Sequence, residues 1–302
     1  RGYGFFVLNK KDRIYELNHW SEIAEETSRL SVLMTLFENY QNDSILDNEF
    51  GESLLKGLVR EKNPLVAQMI VNDINVVLDN EQILNRNDFE YALFLQSQNH
   101  PIRSCRIQLL RMLIANAVSP EVIDKLYSVW KNHDNNLLSE QDYTNLSYQM
   151  AIRKPEQYKS IISIQRNRIT NPDRLRQFDF ISRAVNPDTL YCDQVFQSLL
   201  IAENRRMEPW ASSTLVLLNH PCRENYSVKY IYPALNALQE IQKTGDIFFP
   251  TNWVSALLSG HRTKQAYQEV LRFLKSHPDY PEKLKNKIMQ AAYPLFRIYG
   301  KY

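Results

Sequence analysis

The stretch NPLVAQMIVNDINVVL, residues 63–78, decides the fold class. Its apolar residues recur at spacings of three and four, which places Val66, Ile70 and the apolar residues that follow on one face of a helix. Asn63 stands before Pro64, and this pair begins a helix well. The asparagine side chain accepts hydrogen bonds from first-turn amides, and the N–H that proline lacks would be unpaired there anyway. The stretch therefore predicts an amphipathic helix that begins at Pro64.

The same signals recur along the rest of the chain, where apolar stripes at helical spacing alternate with capping residues. The further predicted caps are Ser119, Asn171 and Asn186, each before a proline, together with Ser139 and Thr263. Only 7 glycines occur in 302 residues, and none lies in residues 58–244. Their scarcity disfavours β-sandwiches and barrels, which need tight turns, and excludes a glycine-rich phosphate loop in that stretch.

These patterns predict an all-α fold. We expect a right-handed stack of antiparallel helix pairs, of the HEAT- or armadillo-like α-solenoid type, in which each pair buries its stripe against its neighbours. No consensus recurs at a fixed period, so any repeats are structural only. Residues 2–8, GYGFFVL, instead predict a short strand or extended segment that would need a sheet outside this chain. The predicted domains are an extended tail or orphan strand over residues 1–19 and a helical-repeat domain over residues 20–302.

Composition narrows the classes of function. The formal net charge is +2, and the balance is not that of a nucleic-acid-binding protein. Residues 20–52 hold eight acidic side chains and one basic, whereas residues 261–287 hold seven basic and three acidic. This asymmetry fits either solvated helix faces or docking onto an oppositely charged neighbour. No apolar run reaches the length of a membrane span. Because the chain begins at Arg1, we expect a fragment or a processed product.

Side chains with catalytic or metal-binding potential are scattered. The three cysteines are far apart and form neither a disulfide framework nor a zinc cluster: Cys105, Cys192 and Cys222. Three of the six histidines precede proline, where we expect them to end helices: His100, His220 and His277. No H-E-x-x-H or G-x-S-x-G motif occurs. We predict no catalytic or metal-binding residue, although an all-helical enzyme assembled from distant carboxylates stays an open alternative.

Two adjacent arginines lie at a predicted helix end, just before Glu208-Pro209 begins the next helix. Arg205 and Arg206 are placed to cap carbonyl oxygens and to pair with Glu203 or Glu208. The alternative is that guanidinium groups face a cleft and hold the carboxylate of a peptide. Arg183, Arg205 and Arg206 are the candidate peptide-facing residues on that hypothesis.

Two groups of residues resemble one known family. GYGFFVLN at residues 2–9, followed by Trp20 and Arg29, resembles the junction where aminopeptidase N-like (gluzincin) zinc metallopeptidases pass from a β-sandwich into a C-terminal helical domain. Residues 180–221 resemble the same domain in bacterial members. The matching positions there are Phe180, Asn186-Pro187-Asp188, Asn204-Arg205, Glu208-Pro209-Trp210 and Leu218-Asn219-His220-Pro221. The resemblance covers essentially the whole chain.

The resemblance implies an activity for a parent enzyme, which would remove N-terminal residues from peptides by zinc-assisted hydrolysis. In that family the catalytic domain carries H-E-x-x-H with a downstream glutamate and a G-x-M-E-N loop, and this chain has neither, so no catalytic or metal residue transfers. The helical domain would be non-catalytic, capping the active-site chamber and restricting access to peptides. The implied partners are the catalytic and β-sandwich domains of the same polypeptide and peptide substrates, and the implied cofactor is zinc in the parent enzyme.

A second interpretation is a free-standing helical-repeat scaffold that binds a protein or peptide on its concave face. The orphan strand at residues 3–8 counts against this interpretation, because a scaffold complete in itself would leave the strand without a sheet.

Overall fold

A computed structural model describes residues 6–79 and 85–300. The prediction of an all-α fold of helices packed in series is confirmed, and no β-strand occurs in the described ranges. The α-helices are α1 (Lys10–His19), α2 (Glu26–Gln41), α3 (Asp47–Arg60), α4 (Pro64–Leu78), α5 (Arg86–Asn99), α6 (Arg103–Asn116), α7 (Pro120–Asn132), α8 (Glu140–Arg153), α9 (Tyr158–Arg168), α10 (Pro172–Ile181), α11 (Thr189–Leu199), α12 (Glu208–Leu218), α13 (Glu224–Ser227), α14 (Ile231–Asn236), α15 (Leu238–Thr244), α16 (Phe249–Leu258), α17 (Lys264–Ser276), α18 (Glu282–Ala291) and α19 (Tyr293–Tyr299).

Short 3₁₀-helices occupy several connections: Trp20–Glu22, Pro155–Gln157, Ser182–Val185, Ala202–Arg205, Pro221–Arg223 and Val228–Tyr230. Across residues 6–79 and 85–300, no helix combines the length and the apolar character needed to span a lipid bilayer.

The chain divides into two compact units, Arg1–Leu146 and Ser147–Tyr302. In the first unit, α1 packs on α2, α3 on α4 and α5 on α6, and short connections such as residues 61–63 make such neighbours antiparallel. Between the pairs, α1 contacts α3 and α5 contacts α7 in one layer, while α2 contacts α4 and α4 contacts α6 in the other. This two-layer stack of helix pairs is the arrangement that an α-solenoid requires.

In the second unit, α10, α12, α16 and α18 pack in succession, and α14, α17 and α19 pack in a second succession. Contacts of α11 with α12, α14 with α16 and α18 with α19 join the two rows. The residues of the predicted helical-repeat domain, 20–302, are therefore divided between two compact units, and the first unit also includes the residues predicted as a tail.

Most predicted caps begin helices, with one shift. The Oδ1 atoms of Asn63 and Asn171 accept first-turn amides of α4 and α10, at 2.8 and 2.9 Å for the shorter bonds. At α11 the cap is Asp188, which accepts the N–H of Leu190 at 2.9 Å. Asn186, the predicted cap, instead accepts the N–H of Asp188 at 2.9 Å. The helix begins two residues later than predicted because Asn186 and Pro187 form the turn that precedes it.

Ser139 and Thr263 cap α8 and α17 as predicted. Ser139 Oγ accepts the N–H of Asp142 at 3.2 Å while Asp142 Oδ2 accepts the N–H of Ser139 at 2.9 Å, a reciprocal arrangement of the capping-box type. Ser119 differs, because its side chain makes no capping bond at α7. A carboxylate from another helix, Glu90, accepts the Ser119 N–H at 2.8 Å instead.

The predicted extended segment is present over residues 6–9 and is held by one side chain of α2. Asn39 Nδ2 donates to the carbonyl oxygen of Phe6 at 2.8 Å, and Asn39 Oδ1 accepts the N–H of Leu8 at 3.0 Å. The buried amide thus makes the two hydrogen bonds that a neighbouring strand would make to one edge. Residues 1–5 lie outside the described residues. Residues 10–19, predicted as part of the tail, form α1 instead, since Asn9 caps a helix there by accepting the N–H of Asp12.

Trp20 and Arg29, which help to carry the family resemblance, anchor the core of the first unit. The indole N–H of Trp20 donates to Ser53 Oγ at 2.8 Å. A Cβ atom on Gly57 would lie 2.2 Å from the Trp20 ring, so glycine is required for the indole to lie against α3. Arg29 donates to both carboxylate oxygens of Glu61, at 2.9 and 3.0 Å. Both resemblance positions therefore have structural roles.

Candidate functional site

Arg205 lies in the core of the second unit. Its side chain is buried, one guanidinium nitrogen donates to the Leu199 carbonyl oxygen at 3.0 Å, and the other end forms an ion pair with Glu240. The guanidinium carbon also lies 5.9 Å from the centre of the Trp253 ring. Arg205 thus caps the end of α11, which is the structural role that the sequence offered as the alternative to peptide binding. Its acidic partner is Glu240 and not the predicted Glu203 or Glu208.

Arg183 lies on the 3₁₀-helix after α10 and is half-buried. Its Nε donates to the Phe180 carbonyl oxygen at 3.1 Å, and its guanidinium carbon stacks 4.6 Å from the centre of the Phe180 ring. The Phe180 ring in turn lies 5.8 Å from Trp210 at the start of α12. One edge of the Arg183 guanidinium is therefore fixed, and its remaining N–H groups have no hydrogen-bond partner among the described residues.

Arg206 is exposed and makes no hydrogen bond or ion pair with the described part of the chain. Glu208, which the sequence offered as a partner, instead accepts the backbone N–H of Asp246 at 2.8 Å. Met207, the next residue, exposes about half of its surface (49%). Of the three candidate arginines, Arg206 is the one classed as exposed, whereas Arg183 is half-buried and Arg205 is buried.

The structure therefore separates the three candidates. Arg205 is buried in the core, and Arg206 is exposed to solvent. Arg183 stacks on Phe180, and the Phe180 ring in turn contacts Trp210 on α12. We define the arginine surface as Arg183, Phe180, Trp210, Arg206 and Met207. It joins the end of α10 to the start of α12, two helices that pack against each other. Cations beside aromatic and apolar groups at such a surface suit a peptide carboxylate with an apolar neighbour.

The two buried histidines of the second unit are held neutral by their surroundings. Burial, with Arg153 and Arg223 nearby, lowers the pKa of His220 to about 3. Burial also lowers the pKa of His261 to about 4. His220 Nδ1 accepts the N–H of Cys222 at 3.1 Å, which requires the tautomer whose Nε2–H donates to Gln149 Oε1 at 2.8 Å.

His100 repeats this geometry in the first unit. Its Nδ1 accepts the N–H of Ile102 at 3.2 Å, and its Nε2 lies 2.9 Å from the Leu58 carbonyl oxygen. His277 contacts the Phe273 carbonyl oxygen at 2.9 Å, at the end of α17. The prediction that these residues end helices is therefore in accord with their contacts. Across residues 6–79 and 85–300, no three His, Cys, Asp or Glu side chains converge in a way that could hold a metal ion. The side chains present in the described residues do not fit a zinc site.

Sequence reasoning missed a set of buried carboxylates that bind an arginine and the backbone amides at helix connections. They are Glu61, Glu90 and Asp142. Glu61 is an example. In addition to the hydrogen bonds from Arg29, its Oε1 accepts hydrogen bonds from the backbone N–H groups of Lys62 and Asn63 at 2.9 and 2.7 Å. Burial alone would raise the pKa of Glu61, but the hydrogen bonds from Arg29 and these amides outweigh it and the pKa is lowered. The arginine of such a pair can lie some thirty residues away, as Arg29 does, so spacing along the chain carries no signal.

Asp73 on α4 is a different case. It is buried, and its Oδ2 has no hydrogen-bond partner among the described residues. Burial raises the pKa of this carboxyl to about 7. The side chain is therefore largely protonated below neutral pH, as a carboxyl removed from water must be when no cation offsets the charge.

Comparison with known proteins adds no relative to this picture: no model of a known protein family matches the chain, and no curated protein matches it.

Proposed function

We propose that this chain is the non-catalytic C-terminal helical domain of an aminopeptidase N-like zinc metallopeptidase. It caps the active-site chamber and restricts access to peptides, while a separate domain of the same polypeptide binds zinc and removes N-terminal residues. A wall of stacked helices suits this role, because it excludes water and folded proteins without taking part in the reaction.

The observation that supports the proposal is that residues matching the family within 180–221 form the hydrogen bonds that hold the connections between helices. Asp188 caps α11, and Arg205 closes its far end through the Leu199 carbonyl oxygen and Glu240. Asn219 Nδ2 donates to the Leu215 carbonyl oxygen at 2.9 Å, and its Oδ1 lies 2.9 Å from His261 Nε2. These residues specify particular connections between helices, so the matching positions are tied to one architecture and not to helical propensity in general.

The arginine surface supports the second part of the proposal. A chamber wall that handles peptides needs side chains that engage a carboxylate without a competing intramolecular partner. Arg206 has no such partner among the described residues, and Arg183 has N–H groups to spare beside Phe180. In the parent enzyme we expect these two arginines, and not Arg205, to line the chamber.

The free-standing scaffold remains the second candidate, and one observation favours it. The extended residues 6–8 do not lack hydrogen bonds on both edges, because Asn39 satisfies Phe6 and Leu8 from within the same unit. A sheet outside the chain is therefore not required to hold this segment in place.

The experiment uses the purified chain. We expect no stoichiometric zinc by atomic absorption and no hydrolysis of aminoacyl chromogenic substrates, because the catalytic groups lie in another domain. Stoichiometric zinc, together with turnover that a chelator abolishes, would contradict the proposal.

The arginine surface is tested in the full-length parent enzyme. Arg206→Ala is expected to raise KM for short peptides several-fold with little change in kcat, since the lost contact binds substrate and transition state alike. The matched control is Arg176→Ala, which removes an exposed arginine whose partner is the exposed Asp173. Equal KM values for the two variants would leave Arg206 without a substrate role.

A further inference from the structure

We draw no further inference here: the strongest candidate, the outward face of α4 in the first unit, which exposes Leu65, Gln68 and Asn72 and no charged side chain, carries no proposal because nothing in the described residues shows what covers it.

Discussion

Replacing Asp73 by Asn should change how the stability of the first unit depends on pH. Asp73 is 4% exposed on α4, which packs against α2, α3 and α6. Within residues 6–79 and 85–300, Oδ2 of Asp73 has no hydrogen-bond partner, and burial raises the pKa of the carboxyl from 3.8 to about 7. The folded protein therefore binds a proton at this site over a pH range in which the unfolded chain has released it.

The sign of the effect follows from proton binding. Well below pH 3.8 the carboxyl is protonated in both states, so Asp73 has no charge-related cost. As pH rises toward 7, the unfolded state gains from ionisation and the folded state does not, so the free energy of unfolding falls. A pKa that rises from 3.8 to about 7 corresponds to roughly 4 kcal/mol, reached in full above pH 7. Asn cannot ionise, so this loss should be absent in Asp73→Asn.

The assay is urea unfolding followed by circular dichroism at a series of pH values from 4 to 8. The quantity of interest is the difference in unfolding free energy between Asp73→Asn and the unmodified chain. We expect this difference to grow by a few kcal/mol in favour of the variant as pH rises across that range. Comparing differences cancels the other titrating groups, and Glu52→Gln, an exposed acid on α3, is the matched control. Parallel curves for Asp73→Asn and the unmodified chain would show that the Asp73 carboxyl does not have a raised pKa in the folded protein.

Two further predictions concern stability. Gly57→Ala should destabilise the first unit by about 3 kcal/mol, because the added Cβ would lie 2.2 Å from the Trp20 ring. Gly51→Ala on the same helix places its Cβ no closer than 3.5 Å to any neighbour. This second variant should be neutral or stabilising by up to about 1 kcal/mol. Urea unfolding decides between them, and equal effects would contradict the packing described here. Arg205→Met should cost about 2 kcal/mol or more, while Arg206→Met should stay within about 0.5 kcal/mol in the same assay. A costly Arg206→Met would mean that its guanidinium is not free.

The helices could be predicted because their signals are local. The stripe in residues 63–78 and the Asn63 cap lie within one element, and both are present as predicted. Asn186 shows the limit of such signals. Asn, Pro and Asp in succession offer two possible caps, and the choice of Asp188 depends on how the turn is held.

Contacts between helices could not be predicted in the same way. The pairing of Arg205 with Glu240 and the support of residues 6–8 by Asn39 join positions more than thirty residues apart, and nothing in the sequence marks the partners. For the three candidate arginines, the sequence indicated positions near helix ends. It could not indicate which of the three guanidinium groups would be buried in the core.

We propose that this chain is one domain of a zinc aminopeptidase, and the decisive test is the coding sequence upstream of Arg1. Sequencing that region should reveal an H-E-x-x-H motif followed by a glutamate on a later helix, which would supply the zinc ligands and the general base. A start codon within a few residues of Arg1, with no coding sequence before it, would rule out a parent aminopeptidase and leave a self-contained helical scaffold.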